Sequence, residues 1–416
     1  MKVVLAVIVS ACALFGASAF LPDEAAAGKN VEYGIQDDAW LEWGPGRLKG
    51  RIAKLDRIGF DAVRINLYWY RMEPRPNRYR WGRSDRMIRG LRARGIRPIV
   101  TLWGTPRWAN GRQLPNVAPT NPAFFQRFAQ KVAKRYSKVD AWVMWNEPNK
   151  PTWLKPASPK TYVTKILNPG YAGIKSANRH AQVAGGVTGP RGGKGGISPV
   201  DFIARMKRFR AKLDVYAHHP YPVYPGDTPY KGGCLCKNLT MAELDRLLRI
   251  VNSAFPRARV WLTEYAYQTN PPDIFGVSPQ LQARYIGESS RKVYEARKVD
   301  LLIHYIFRDE PRLAGWQSGL ETNRGRPKPA LAASMLPLAQ VQRRGTRTTI
   351  WGQVRPGTGP QRYLVQRRIG GQWITLFGAM TTERGFLRRT VTAPRGAQIR
   401  LWYSAGRKGS PALTVR

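Results

Sequence analysis

From about residue 31 the chain alternates short apolar runs with basic amphipathic stretches. VEYGI at 31–35 reads as a buried strand, and GRLKGRIAKLDRIG after it places its apolar residues at helical spacing. Further strands are read at 60–69 (FDAVRINLYW), 96–104 (IRPIVTLWG), 141–145 (AWVMW), 181–189, 213–222 (LDVYAHHPYP), 259–267 (RVWLTEYAY) and 299–307. Helical patterns lie between them at 83–95, 121–137, 160–178, 198–212, 241–254 and 279–297, with a break expected at Pro169. Nearly continuous apolar strands alternating with helices argue for parallel pairing. Eight such units fit an α/β fold of the (β/α)8 TIM barrel type, which takes ~250 residues before insertions. A doubly wound sheet is the alternative. It carries a Gly-rich phosphate turn after its first strand, and YGIQDD is not one.

The pattern changes after about residue 335. Segments RTTIWGQVRP, QRYLVQRR, QWITLFG, GFLRRTVTA and AQIRLWYSA are short alternating runs parted by Gly, Pro and Thr. They predict a small immunoglobulin-like β-sandwich over 341–416, following a barrel domain over 20–335. Residues 331–416 hold 14 Arg and one Lys against Glu383 alone. Such a module either binds glycan or packs on the barrel.

Composition narrows the class. With 43% hydrophobic and 11% aromatic residues, a sizeable core is available and global disorder is excluded. Fourteen Trp serve as core or as flat platforms for sugar rings. The formal net charge of +43 has three readings: an acidic polymer partner such as a uronic-acid glycan, an Arg-rich composition without a partner, or solubility. The basic residues are scattered, which favours the latter two. No zinc-finger spacing or aromatic–basic RNA motif accompanies them, so nucleic acid is not expected.

Lys2, the apolar run Val3 to Phe15 and GASAF form a signal-peptide pattern with cleavage after Ala19, and predict a secreted protein. The run is too short for a stable membrane span. VSAC, ending at Cys12, resembles a lipoprotein box and makes anchoring the minor alternative. The remaining cysteines, Cys234 and Cys236, read as a local disulfide in a surface loop.

Barrel enzymes carry their working residues at the C-terminal strand ends. Those ends hold Gln36 and Asp37, then Arg64, Asn66 and Trp69, then Trp103, Asn146 with Glu147, His218 with His219 and Tyr221, Glu264 with Tyr265, and Tyr305 with Phe307. Glu147 and Glu264 thus face one mouth. Two carboxyl groups flanking a sugar are what glycoside hydrolysis needs, one protonated and one ionised. Arg64 beside Glu264 would keep it ionised; the charge of Glu264 and the aromatic wall would raise the pKa of Glu147. No three-ligand metal spacing and no Ser nucleophile elbow occurs, so neither metal nor cofactor is expected.

These motifs, GFDAVRINLYWYRMEP, VMWNEPNKPTWL, HHPYP and WLTEYAY among them, resemble those of clan A glycoside hydrolases over residues 31–335. Family 39 is the nearer resemblance and the family 5 cellulase-like enzymes the next, because family 5 carries a His where this chain has Trp103. The resemblance implies Glu147 as acid/base and Glu264 as nucleophile. It implies Asn146 on the sugar 2-hydroxyl, and Arg64, His219 and Tyr221 orienting Glu264. Trp316 stacks on a sugar or packs structurally; Trp103 belongs to the substrate pocket; His218 reads as structural. The expectation is a secreted retaining glycosidase acting on a carbohydrate. A catalytically silent glycan-binding barrel and a transglycosylase are the alternatives.

Overall fold

The computed structural model describes residues 30–224, 226–232 and 237–416. The signal-peptide segment, Cys12, Cys234 and Cys236 lie outside the described residues. Eight strands close into one barrel in sequence order: β1 (Glu32–Gln36), β2 (Ala62–Tyr68), β3 (Arg97–Trp103), β4 (Ala141–Met144), β5 (Gln182–Thr188), β6 (Val215–His218), β7 (Arg259–Tyr265) and β8 (Val299–Tyr305). All neighbours pair in parallel, and β8 returns to β1 from Glu32↔Leu301 to Gln36↔Tyr305. Every predicted barrel strand is present. The barrel is a packed core rather than a pore: Ala62, Ile99, Ala141, Val143, Ala184, Val215, Ala217, Leu301 and Ile303 fill it against Trp261.

The helices follow their apolar faces onto the outside of the barrel, capped as the local sequence dictates. Asn121, Ser158, Ser198 and Ser278 each accept a hydrogen bond from a first-turn N–H, with Pro next in the chain. The expected break at Pro169 falls earlier. A π-helical turn at Val163–Leu167 takes up the irregularity, and Pro169 sits in the first turn of the helix Asn168–Ala177, where its missing N–H costs nothing.

The C-terminal region forms two antiparallel sheets. One runs β13 (Phe386–Thr392), β10 (Arg347–Gln353), β9 (Leu338–Arg344); the other runs β12 (Gln372–Met380), β11 (Arg362–Ile369), β14 (Gln398–Tyr403), β15 (Lys408–Gly409). Leu338, Ile350, Val354, Tyr363, Val365, Leu387, Ile399 and Leu401 form the core between them. This is the expected sandwich, entered at β9, earlier than the alternating runs indicated.

The sandwich is docked tightly. Buried Arg355 lies 3.9 Å from the Tyr33 ring centroid and donates to Ser334 O at 3.0 Å. Arg384 donates to Val31 O at 2.9 Å, and Tyr294 of the barrel packs on Trp351 and Phe386. Part of the basic excess is therefore structural. Gly287, inside the helix Pro279–Glu295, admits the closest approach: a Cβ there would meet Leu338 O at 2.2 Å. Alanine is the better helix former by about 1 kcal/mol, yet Gly287→Ala is expected to lower the melting temperature, because overpacking costs roughly 1–3 kcal/mol. Calorimetry would measure it; an unchanged or higher melting temperature would mean that β9 does not press on this helix.

Candidate active site

Arg64, third residue of β2, points into the barrel and is fully buried. A buried guanidinium is costly unless every donor is used. Its Nε donates to Thr101 Oγ1 on β3 at 2.9 Å, Nη1 to Gln36 Oε1 on β1 at 2.6 Å, and Nη2 to Asn146 Oδ1 after β4 at 2.9 Å. Nη1 also makes a close ion pair with Glu264 of β7. One side chain thus ties five strands at the C-terminal mouth.

The turn after β4 is strained. Trp145 has φ +78° and Glu147 φ +34°, left-handed conformations that non-glycine residues rarely adopt. They persist because neighbours fix the turn. Trp145 N donates to Leu102 O at 2.9 Å and its indole to Trp153 O at 2.8 Å. Asn149, fully buried, donates to Ile197 O at 3.1 Å and accepts from Gly189 N at 2.9 Å, locking the turn to the loop after β5. Glu147 is delivered into the mouth as a result.

His219 follows β6 and lies between the two glutamates, its Nδ1 3.1 Å from Glu147 Oε1 and 3.6 Å from Glu264 Oε2. The hydrogen bond goes to Glu147, so His219 orients the other carboxylate than the one expected. Tyr221 donates to Glu264 Oε2 at 3.1 Å, as expected.

The electrostatics correct a further expectation. Burial alone raises the pKa of Glu147, but the His219 hydrogen bond and the Lys150 ammonium, 2.8 Å from Oε2, outweigh it and hold the carboxyl below the ordinary range. Glu147 is therefore held toward its ionised form, first by the His219 hydrogen bond and then by the Lys150 ammonium three residues away.

An open cavity of about 520 Å³, the size of a ligand site, holds both glutamates, Asn146, Trp103, Tyr221 and Trp316 on its wall. Arg64 and His219 lie directly behind it. Trp103 packs edge-on against Trp153 at 5.4 Å, and Trp316 lies 5.1 Å from both Tyr221 and Tyr305. Two buried polar atoms on the lining residues have no protein partner, Asn66 Oδ1 and Trp103 Nε1. His218 turns away and is satisfied by Thr188 Oγ1 at 2.9 Å and Leu239 O at 2.8 Å; burial lowers its pKa to about 4, so it stays neutral.

Asp38, Lys150, Trp153, Arg191 and Glu310 also line the cavity and carried no expectation. Lys150 had a signal, three residues beyond Glu147 in a turn. Arg191 and Glu310 come from loops, whose course no periodicity reveals. Among the described residues, no group of three or more His, Cys, Asp or Glu is placed to hold a metal ion, and no helix is long and apolar enough to cross a membrane.

The cellulase family, glycosyl hydrolase family 5, matches residues 25–267 of this chain. A family 39 glycoside hydrolase from Bacteroides cellulosilyticus WH2 is similar in structure, with a TM-score of 0.63 and 17% identity over 90% of this chain and 81% of that one. An exo-β-1,4-mannosidase from Opitutaceae bacterium strain TAV5 has a TM-score of 0.52 and 18% identity over 73% and 58%. Among curated proteins, Beta-glucosidase 17 of Arabidopsis thaliana is 30% identical over 112 residues, 25% of this chain and 22% of that relative's length. The clan A resemblance holds. Both families expected appear: the sequence match is to family 5, and a family 39 enzyme is among the similar structures.

Arg64→Met is expected to lower the unfolding free energy by roughly 3–5 kcal/mol, the cost of stranding a buried partner charge. Urea unfolding followed by tryptophan fluorescence measures it. A loss within about 1 kcal/mol, the scale of an exposed ion pair, would mean that the guanidinium does not hold the strands.

Proposed function

The chain belongs to the cellulase family, glycosyl hydrolase family 5, and from that membership we propose that it is a secreted glycosidase that cleaves O-glycosidic bonds with retention. Glu147 acts as acid and base, and Glu264 as nucleophile. The observation that carries this reading is the shared contact of both carboxylates with one imidazole nitrogen, at 3.1 and 3.6 Å. The sum of those distances bounds the nearest oxygen–oxygen gap. It admits the ~5–5.5 Å of retaining enzymes and reaches only the bottom of the inverting range, ~6.5–9.5 Å.

In the first step Glu264 attacks the anomeric carbon while Glu147 gives its proton to the glycosidic oxygen, and the leaving sugar departs as an alcohol. In the second, Glu147 takes a proton from water, the water oxygen attacks the anomeric carbon, and Glu264 is released. Arg64 and Tyr221 hold the nucleophile in place, both bonded to its carboxylate. Asn146, whose Oδ1 is occupied by Arg64, has its amide N–H groups for the sugar 2-hydroxyl. Trp316 and Trp103 give faces to sugar rings. The secretion pattern at 1–19 supports an extracellular glycan as substrate.

Hydrolysis of a panel of aryl β-glycosides and of neutral and uronic polysaccharides tests the reading. Wild type is expected to turn over at least one glycoside, and Glu264→Ala to lose about 10⁴-fold or more in kcat, the scale set by removing a nucleophile, while still unfolding cooperatively, at a lower temperature because buried Arg64 loses its partner charge. Equal glycan binding by both proteins and turnover by neither would favour a binding scaffold.

A further inference from the structure

Lys150 closes the stretch AWVMWNEPNK. Its ammonium lies 2.8 Å from Glu147 Oε2, and 27% of its side chain is exposed, so a ligand can reach it. Lys150 N donates to Glu147 O at 2.9 Å, which makes the pair a property of the turn. Gly189 makes room for it: a Cβ there would lie 2.6 Å from Lys150 Cε and 2.7 Å from Glu147 Oε1. Arg191, two residues on, lines the same cavity. The opposite side is acidic. Asp37 and Asp38 follow β1, and Glu310 follows β8. Since β4 and β5 adjoin each other, and β8 and β1 adjoin each other across the barrel, the mouth has a cationic half and an acidic half.

An acid held as a carboxylate by an imidazole hydrogen bond and an ammonium has no proton to give. The groups facing Glu147 are Lys150 from its own turn, His219 from the end of β6, and Glu264 across the imidazole, with Arg191 on the β5 loop. Of these, only Lys150 and Arg191 are cations that reach the cavity. They stand on the side of Glu147, the residue that protonates the leaving group, together with Trp153. The leaving sugar therefore meets two cations and an indole.

Resting on the glycosidase reading above, we propose that Lys150 and Arg191 form a site for a uronate carboxylate on the leaving-group side of an acidic glycan, and that its binding draws Lys150 off Glu147 and lets Glu147 take up a proton from solvent. Lys150 is then a specificity-determining residue whose partner changes from the enzyme's carboxylate to the substrate's. The acid is armed only when the anionic sugar is in place.

The test uses the full chain and, for each β-glycone of the aryl glycoside panel, three probes. The first is a 2,4-dinitrophenyl glycoside, whose leaving group needs no proton. The second is a disaccharide with glucuronate on the leaving side, and the third is the same compound with its carboxylate reduced to a hydroxymethyl group. Wild type is expected to prefer the uronate over its reduced form by on the order of tenfold or more in kcat/KM, the worth of one charge-assisted contact. Lys150→Met is expected to bring that ratio to within about twofold. It should also move the basic limb of the neutral disaccharide's pH profile up by about one unit or more, since that limb reports the pKa of the free enzyme's acid. The variant would then exceed wild type on the neutral compound near pH 7. Equal wild-type rates on the two disaccharides overturn the proposal. So does a variant slowed on both with an unmoved profile, which is what a structural lysine would give. No wild-type turnover of any dinitrophenyl glycoside would instead remove the glycosidase reading, and this inference with it.

Discussion

The Arg64 guanidinium is the interaction on which the rest of the mouth depends. A charge with no solvent exposure survives only if its surroundings are built around it. Here they are: Gln36, Thr101, Asn146 and Glu264 come from four different strands and meet on one side chain. The barrel's closure and the position of the Glu264 carboxylate are therefore not separable. Shifting any one of these strands would leave a buried acceptor or a buried charge unpaired. The same contact fixes Asn146, and through it the start of the strained turn that presents Glu147.

The two glutamates have opposite problems. Glu264 sits in a fully satisfied environment of a guanidinium and a phenol. Glu147 sits between an imidazole and an ammonium that favour its ionised form over the desolvation that opposes it. A carboxylate suits the second half of a double displacement and not the first. Of the two partners of Glu147, Lys150 is the one with substantial exposure, so its share of the imbalance is one that a ligand can relieve. The charge of the whole chain has a similar division of labour. Arg51 is buried on the carbonyls of Leu41 and Glu42, and Arg64 and Arg355 are internal too, so part of the charge serves the fold.

The barrel was legible because its signal is periodic. Eight apolar runs, each parted by a helical pattern, leave few topologies, and each run found its strand. The strand-end rule brought Arg64, Asn146, Glu147, His219, Tyr221 and Glu264 to one place for the same reason. What it could not reveal was pairwise contact. Which carboxylate His219 would touch depends on ångström-scale positions across the barrel, and Lys150 lies in a turn whose left-handed residues have no sequence signature in Trp or Glu. The sandwich was visible in alternation, but its first strand was not, because LAQVQRR follows the helix Pro329–Met335 after only Leu336 and Pro337 and gives just a short, mostly polar run of its own. Arg191 and Glu310 reach the cavity from loops, where no spacing rule operates.

Trapping the covalent intermediate tests the assignment of the two carboxylates most directly. A 2-deoxy-2-fluoro glycoside with a dinitrophenyl leaving group slows the release of a glycosyl ester more than its formation, and peptide mass spectrometry then locates the label. Labelling of Glu264 in the peptide containing WLTEYAY is the expected result. A label on Glu147, or turnover of substrate with inversion and no label at any carboxylate, would contradict the arrangement built around Arg64.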